Sequence, residues 1–419
     1  MQAVRLHAGV GEVEIAPPAA VELAADLGVR AAKGIATPLM AKALVLSDGA
    51  ESLALVALDL WGLAPEWSEQ IAGLVAERAS LRAEAVLLAC SHTRGAPCTA
   101  FAVGCAGLAT EYLREIGPKI AAAVAGAKAD LRPASLGVGH ADLPHLVYNH
   151  RLLTRNMKAI SAWMGVPKDE VLAPEGPVDA AFHVLVVRDA QGQPMCLLWH
   201  FAADNRFPEG DRTTAGLPHS VQQEVDARIG RHVPCLHLPG CGGDVSYARG
   251  LDETADAVAS GVMAVQLETS CDPDISLAAA SELVVLPVRD YGRFWSEADI
   301  ALKCPGAVEA FAEEVDALQA EGALAVPTSL RAFRLGRVAL VGLPGMPFAQ
   351  TGLGIRESSP FAVTLTVANS NDGLGPIPTR QAFAHEGFET WPSRAAKVGT
   401  GAAEFLAAEA GELLRRVTR

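Results

Sequence analysis

A serine that follows a glycine-rich turn is the residue of this chain whose setting most directly suggests catalysis. Residues 238–247 read LPGCGGDVSY, in which three glycines lie within four residues and are followed by Asp244 and Ser246. A serine hydroxyl becomes a nucleophile when a base removes its proton, and the backbone N–H groups of residues 240–243 could stabilise an oxyanion. The alternative is a plain turn whose Asp244 and Ser246 cap the next helix. The stretch has neither the Gly-Lys-Ser/Thr of a phosphate loop nor a Gly-x-Ser-x-Gly elbow.

Polar residues or a Pro-Gly turn also follow other apolar runs that the sequence predicts as strands. Open α/β sheets place their functional sites at strand ends, so we expect these loops to meet around one cleft. The residues concerned are His92 and Arg94 after the run 85–90, Asp204, Asn205 and Arg206 after 195–199, the Pro-Gly turn at 344–345 after 338–342, and Asn369 after 362–368.

Composition limits the classes of partner. The chain has 419 residues and a formal net charge of −14, which argues against nucleic acid or an anionic membrane as a partner. The first residues lack the apolar core of a signal peptide, and no apolar run is long enough to span a bilayer. Eight cysteines without a Cys-x-x-Cys pair are expected to stay reduced. We therefore expect a cytoplasmic protein with a small-molecule substrate; the sequence indicates no oligomeric state.

Apolar patterning predicts alternating strands and helices, which is typical of an α/β architecture. Hairpins are expected around residues 47–50, 189–192 and 336–337, and helices over 68–78, 111–127, 216–230, 252–266, 305–321 and 400–416. No repeat or linker is visible, so we predict one large domain over residues 1–419, with mixed β-sheets layered with helices. Residues 145–178 are interpreted as a lid insertion over the site.

Short segments along the chain resemble the neutral/alkaline non-lysosomal ceramidases and their bacterial relatives. In order, the segments are GEVEIAPP at 11–18, AKALVL and Asp-Gly at 41–49, SHTRGAP at 91–97, GDVS at 243–246, LPG at 343–345 and PT at 378–379. The resemblance implies a ceramidase-like catalytic domain in which a zinc ion and a serine hydrolyse an amide bond. It places His92 on a zinc-ligand histidine and Ser246 on the nucleophile. The C-terminal Ig-like domain of true ceramidases is not expected, because the chain ends too soon.

Most of the other family positions at the zinc carry different residues in this chain. They are Asp204 for a histidine, Met346 for a glutamate, Pro376 for a tyrosine, and Arg94 for the second histidine of the first motif. Methionine and proline cannot replace a carboxylate and a phenolate, and a guanidinium would repel a divalent ion. We therefore expect no metal and no other cofactor. The alternative is a rebuilt zinc site at His92 and Asp204, completed by His200, His237 or Cys241.

The sequence predicts a hydrolase of an amide or related acyl bond, such as an ester or lactone, in a small, polar, anionic substrate. Ser246 is the expected nucleophile, His92 the base, and Asp204 the residue that orients the imidazole. Other residues are expected to bind substrate, the arginines because guanidinium forks suit carboxylates and phosphates: Arg94, Asn149, Arg151, Asn205, Arg206, Gly242, Gly243 and Asn369. Two alternatives stay open, a metal-dependent amidohydrolase at His92 and Asp204 and a ligand-binding relative without catalysis.

Overall fold

A computed structural model describes residues 5–17, 21–24, 30–105, 107–207, 210–289 and 304–418. Residue 18 of the GEVEIAPP segment lies outside these ranges, as do parts of the predicted single domain. The α-helices are α1 (Pro65–Ala79), α2 (Thr110–Ala129), α3 (Leu217–Ile229), α4 (Leu251–Glu268), α5 (Val308–Glu321), α6 (Ala349–Ser358), α7 (Arg380–His385) and α8 (Ala402–Arg416).

The strands occur in groups that these helices separate along the chain. They are β1 (His7–Glu14), β2 (Glu22–Leu23), β3 (Arg30–Ala31), β4 (Met40–Ser47), β5 (Ser52–Leu58), β6 (Val86–Cys90), β7 (Arg132–Asp142), β8 (Val147–Asn149), β9 (Arg151–Thr154), β10 (Ala159–Ser161), β11 (Val171–Pro174), β12 (Ala181–Asp189), β13 (Pro194–Phe201), β14 (Cys235–Pro239), β15 (Val245–Tyr247), β16 (Leu277–Pro287), β17 (Ala325–Leu335), β18 (Val338–Gly342), β19 (Met346–Pro347), β20 (Val363–Val367) and β21 (Pro376–Ile377).

Two mixed sheets carry most of the fold. The larger has eight strands in the order β14-β13-β12-β7-β1-β4-β5-β6, and the smaller has four in the order β16-β17-β18-β20. The pairs β13/β14, β5/β6 and β18/β20 are parallel, and the helices that connect such strands must cross over a sheet face. The three predicted hairpins are present as β4/β5, β12/β13 and β17/β18.

The sheets and helices form four layers. An apolar cluster that includes Leu87, Leu198 and Phe333 fills the space between the two sheets. Helices α1 to α4 cover the outer face of the large sheet, and α6 and α8 cover the outer face of the small one. The alternation of side chains along each strand explains this arrangement, because neighbouring residues face opposite layers. The predicted α/β fold of mixed sheets layered with helices is confirmed.

Two bridges join the sheets at the edge where β6, β14 and β20 end. Ala89 pairs with Ser370, and Gly240 pairs with Val367. The loops that follow these strands therefore leave the sheets close together. No described helix is both long enough and apolar enough to cross a membrane.

Replacing His237 with phenylalanine is expected to make the protein more resistant to acid. His237 lies in β14, stacks on the Trp199 ring at 3.8 Å, and its ring nitrogens have no hydrogen-bond partner among the described residues. Burial first, and His200 second, lower its pKa to about 3 from an ordinary 6.5. Because the unfolded chain takes up this proton at a higher pH than the folded chain, acidification below the ordinary pKa destabilises the fold.

We therefore compare the free energy of unfolding of His237→Phe with that of the wild type. As the pH falls from roughly 7 to roughly 5, the difference should change by about 2 kcal/mol in favour of the variant. Urea denaturation of both proteins at each pH measures this gain. A difference between the two proteins that does not change with pH would show that His237 is not buried in its neutral form.

Candidate functional site

One cavity opens where the loops after four strands meet. His92 follows β6, Asp204 follows β13, Gly243 follows β14, and Met346 follows β18. The space holds about 640 Å³, counted out to its mouth. Its lining residues are Trp61, His92, Arg94, Ala102, Val103, Asp204, Arg206, Gly243, Phe311, Met346, Gly375, Pro376, Phe388, Glu389, Trp391, Ser393, Ala395 and Ala396. The strand-end convergence expected from the sequence is therefore present for these loops.

A buried cluster of opposite charges forms one wall of the cavity. The Asp204 carboxylate accepts a hydrogen bond from His92 Nδ1 at 2.7 Å through one oxygen, and from Arg94 Nη2 at 2.8 Å through the other. Burial alone would raise the pKa of Asp204, but Arg94, His92 and Arg206 together hold that pKa well below its ordinary value. Asp204 is therefore a buried carboxylate that has a hydrogen-bond donor on each oxygen.

Aromatic rings pack against His92 and both arginines of this wall. The Trp61 ring stacks on the His92 ring at 4.0 Å, and the Arg94 guanidinium carbon lies 5.4 Å from the Trp61 ring centre. The Arg206 guanidinium lies 4.7 Å from the Trp163 ring centre and contacts Asp204 at 3.6 Å. Such cation–π contacts fix the direction of a guanidinium in a cleft. Both arginines are thus held in the wall of the cavity.

The backbone at His92 is strained. Its φ of +59° lies in the left-handed region, which costs a non-glycine residue on the order of 1–3 kcal/mol and is most often found at functional sites. The loop after β6 turns sharply here, and the turn directs the imidazole toward Asp204.

Ser246 lies in β15, beside the cavity wall. The strand pairs with β8, with Ser246 opposite Tyr148, and Ser246 also forms a parallel bridge with Asp204. Directly paired residues project to the same face, so the side chains of Ser246 and Asp204 emerge together. Ser246 is 4% exposed and is not itself among the described lining residues.

The Ser246 hydroxyl contacts a different imidazole from the one that the sequence suggested. Its Oγ lies 2.9 Å from Nδ1 of His150, and Nε2 of His150 lies 3.1 Å from Oε1 of Glu389. His150 comes directly after β8, two residues beyond Tyr148, and its backbone N–H donates to the Asp244 carbonyl at 2.9 Å. The described hydrogen bonds of His92 include Asp204 but not Ser246. The expected pair of Ser246 with His92 is therefore replaced in the structure by Ser246 with His150.

Glu389 belongs to a larger buried network. Its carboxylate also accepts hydrogen bonds from the Ser161 hydroxyl at 2.8 Å and from the Arg151 guanidinium. Burial alone would raise the pKa of Glu389, but Arg151 and the hydrogen bond with His150 hold that pKa below its ordinary value. Glu389 is therefore a carboxylate that lines the cavity and also contacts His150.

Three residues predicted to bind substrate point elsewhere. The Arg151 guanidinium forms ion pairs with Glu175 and Glu389 and is 0% exposed. The Asn149 amide donates to Asp244 at 2.7 Å, and the Asn369 amide donates to the carbonyl of Trp61 at 2.8 Å. None of the three is among the described lining residues. Their polar groups organise the loops around the cavity, which corrects the prediction that they face a ligand.

The glycine-rich turn packs closely against its neighbours, and some of the N–H groups that we expected to bind an oxyanion already have hydrogen-bond partners. The Gly240 N–H donates to the carbonyl of Phe201 at 2.8 Å, and the Gly243 N–H donates to the carbonyl of Pro347 at 3.1 Å. A Cβ on Gly242 would approach the Ala203 backbone to 2.7 Å, so glycine is needed there for packing. Gly243 lines the cavity, but two of the four predicted amides, those of Gly240 and Gly243, already have partners. The buried amide of Asn205 has no hydrogen-bond partner among the described residues, and its predicted binding role stays a prediction.

The positions that the family resemblance assigns to zinc do meet in this cavity, but their side chains do not fit a zinc ion. Both Asp204 oxygens are taken by His92 and Arg94, and Met346 and Pro376 supply no hard ligand. Hydrolytic zinc sites keep three protein ligands and one open position. Among the described residues, no three His, Cys, Asp or Glu side chains are grouped so as to hold a metal ion.

Several aromatic residues that line the cavity were not predicted from the sequence. Phe311 comes from α5, which reads as an acidic, solvated helix, and Phe388 and Trp391 come from the loop after α7. The Phe311 and Trp391 rings meet edge to face at 5.4 Å. The sequence does contain a signal for Phe311: the apolar residues at 308, 311, 315 and 318 have helical spacing and predict that one face of α5 is buried. These rings make much of the cavity lining apolar.

No model of a known protein family matches the sequence, and no curated protein matches it. Among solved structures, the chain is similar to "Ceramidase complexed with C2", with a TM-score of 0.76 and 14% identity over 99% of this chain and 75% of that chain. It is also similar to neutral ceramidase from Pseudomonas aeruginosa, with a TM-score of 0.70 and 15% identity over 99% of this chain and 74% of that chain. The chain therefore has a ceramidase-like fold, as the sequence predicted.

Proposed function

We propose that this protein hydrolyses an amide or related acyl bond in a small anionic substrate, with Ser246 as the nucleophile. The observation that carries the proposal is the contact between the Ser246 hydroxyl and an imidazole nitrogen at 2.9 Å, beside a cavity. A hydroxyl bound to an imidazole lone pair can lose its proton as it attacks a carbonyl carbon. The ceramidase-like fold supports the reaction class, since ceramidases hydrolyse amide bonds.

The charged wall supports an anionic substrate. Arg94 and Arg206 line the cavity, and the rings of Trp61 and Trp163 hold them there. A guanidinium binds a carboxylate or phosphate through two parallel hydrogen bonds. The aromatic part of the lining, with Phe311, Phe388 and Trp391, suits an apolar acyl group. We therefore propose a small acyl compound whose polar end carries a negative charge.

The proposed reaction uses no zinc step, because the residues at the zinc positions of the resembled family do not fit that ion. His92 and Asp204, predicted from the sequence as base and orienting residue, are assigned instead to the binding wall with Arg94. In this role Asp204 forms ion pairs with Arg94 and Arg206, and the guanidinium groups held in this wall attract an anionic substrate.

A substrate panel tests the reaction class. Purified protein, treated with chelator or not, is incubated with N-acyl amino acids, the same acyl groups on uncharged amines, acyl esters and lactones. We expect turnover of an acyl compound that carries a carboxylate, at equal rates with and without chelator. Loss of turnover on chelation, together with zinc in the untreated protein, would favour the metal-dependent alternative. Tight binding of an N-acyl amino acid without turnover would favour a ligand-binding protein.

Replacing Arg206 with glutamine is expected to raise KM for the charged substrate by about tenfold to a hundredfold, because a hydrogen bond to a charged group contributes about 1.5–3 kcal/mol. The KM of the matched uncharged compound should change little. Steady-state kinetics on the two compounds measures the difference. The control is Arg212→Gln, since Arg212 is exposed and donates to the Ile35 carbonyl. Equal effects of Arg206→Gln on charged and uncharged compounds would contradict anion binding.

A further inference from the structure

A serine, a histidine and a glutamate form one buried chain of hydrogen bonds beside the cavity. Ser246 Oγ lies 2.9 Å from His150 Nδ1, and His150 Nε2 lies 3.1 Å from Glu389 Oε1. We infer that His150 is the general base that activates Ser246, and that Glu389 is the positioning residue that fixes the tautomer of its imidazole. The inference rests on the proposed acyl hydrolysis and names the groups that move its protons.

The carboxylate determines which nitrogen carries the proton. An ionised carboxylate only accepts hydrogen bonds, so the His150 nitrogen that contacts Glu389 must carry a hydrogen. In a neutral imidazole the other nitrogen, Nδ1, then holds the lone pair. Ser246 therefore donates its hydroxyl proton to Nδ1. This is the tautomer that a general base requires, and it arises from the fold before any substrate binds.

Glu389 is itself held in place. Arg151 and Ser161 each donate a hydrogen bond to its carboxylate. Arg151 also pairs with Glu175, so a chain of ion pairs fixes the carboxylate from behind. Anchoring of this kind keeps an imidazole within the small angular range that proton transfer needs.

The second histidine of the site is less suited to the role. His92 contacts Asp204 through Nδ1 at 2.7 Å, and its ring is stacked on Trp61. Its described hydrogen bonds do not reach Ser246. His150, by contrast, directly follows β8, in which Tyr148 is the direct partner of Ser246. Its backbone N–H donates to the Asp244 carbonyl, which keeps the imidazole beside the Ser246 hydroxyl.

His150 accepts and returns every proton that moves in the proposed reaction. As Ser246 Oγ bonds to the substrate carbonyl carbon, its proton passes to His150 Nδ1, and a tetrahedral oxyanion forms. The C–N bond then breaks, and His150 returns the proton to the departing amine, which leaves an acyl ester on Ser246. Water attacks that ester and gives a proton to His150. The C–O bond to Ser246 breaks, and Oγ recovers the proton.

Diisopropyl fluorophosphate tests the base without a known substrate. Ser246 Oγ forms the new bond to phosphorus, fluoride leaves, and the hydroxyl proton passes to His150. Mass spectrometry should locate the adduct on Ser246 in the wild type. His150→Asn should slow labelling by about a hundredfold or more, and His92→Asn by much less. The matched control is His145→Asn, an exposed histidine five residues earlier, which should label at the wild-type rate.

Glu389 requires readouts that separate positioning from folding. Glu389→Gln should slow labelling about tenfold or more, whereas Glu389→Asp, which keeps the charge, should recover part of the rate. Histidine ¹⁵N spectra provide a second measurement. The signal that disappears in His150→Asn should show a protonated Nε2 and an unprotonated Nδ1. The opposite tautomer would overturn the inference, whether or not the probe reacts.

The outcomes separate this inference from the proposed function. Labelling of Ser246 that is unaffected in His150→Asn, or lost in His92→Asn instead, overturns the role of His150 and leaves Ser246 as nucleophile. An unlabelled Ser246, together with full turnover in a variant without that hydroxyl, overturns the proposed function and the inference that depends on it.

Discussion

Replacing Ser246 with alanine is expected to lower kcat/KM by at least about a thousandfold, because removal of a nucleophile leaves only the rate enhancement from binding and electrostatics. The fold should persist. Ser246 lies in a short strand and its hydroxyl makes one described hydrogen bond, with His150, so its loss should cost about 1 kcal/mol in free energy of unfolding. The measurements are steady-state kinetics on the compound identified in the panel and urea denaturation of the same preparation.

A matched serine shows whether the loss is specific. Ser68 is as buried as Ser246 but lies in α1, on the outer face of the large sheet. Ser68→Ala should keep wild-type kinetics. If Ser246→Ala also kept them, the hydroxyl would not be the nucleophile, and the ceramidase-like fold would remain without the proposed chemistry.

Replacing Arg151 with methionine is expected to cost about 3–5 kcal/mol in free energy of unfolding, the usual result of removing one partner from a buried ion pair. Arg151 is 0% exposed and pairs with both Glu175 and Glu389. Methionine fills a similar volume but leaves two buried carboxylates without their cation. Chemical denaturation measures the loss. We expect it to be the largest stability effect among the substitutions considered for this site.

Two further variants test the cause of that loss. Arg415 lies at the surface and pairs with Glu412 on α8, so Arg415→Met should change stability little. Adding Glu175→Gln to Arg151→Met should restore part of the lost stability, because it neutralises one of the stranded carboxylates. If the double variant were no more stable than the single variant, the loss would come from packing and not from charge.

The sequence predicts the convergence of the strand-end loops well. Apolar runs followed by polar residues placed His92, Asp204 and Gly243 at one edge of the sheets, where the structure finds them. This succeeds because strand direction and side-chain alternation are local properties of the chain. The same reasoning identified Ser246 and its neighbour Asp204, although it could not show that they are paired.

The partner of Ser246 is harder to predict. His150 was visible in the polar stretch 148–151, but only the folded structure shows that it faces Ser246. Glu389 lies 239 residues from His150 in sequence, in a loop without regular strand or helix patterning. Contacts of this separation depend on tertiary packing, which a single sequence does not reveal.

Arg151 shows that two adjacent residues can have different roles at this site. It follows His150 directly and is the first residue of β9. Its guanidinium pairs with Glu175 and with the Glu389 oxygen that His150 does not contact, and it is not among the described lining residues. The sequence shows an arginine next to the site, but side-chain direction decides whether it binds a ligand or anchors the fold.

The pairing of Arg94 with Asp204 restricts how this cavity could evolve. Both side chains are buried and form an ion pair. A mutation that replaces Arg94 with a neutral metal ligand removes a buried cation from the Asp204 carboxylate, and one that replaces Asp204 removes a buried carboxylate from the Arg94 guanidinium. Each single step therefore passes through a less stable ancestor, so a lineage that has acquired this pair is expected to keep it or to lose both residues together.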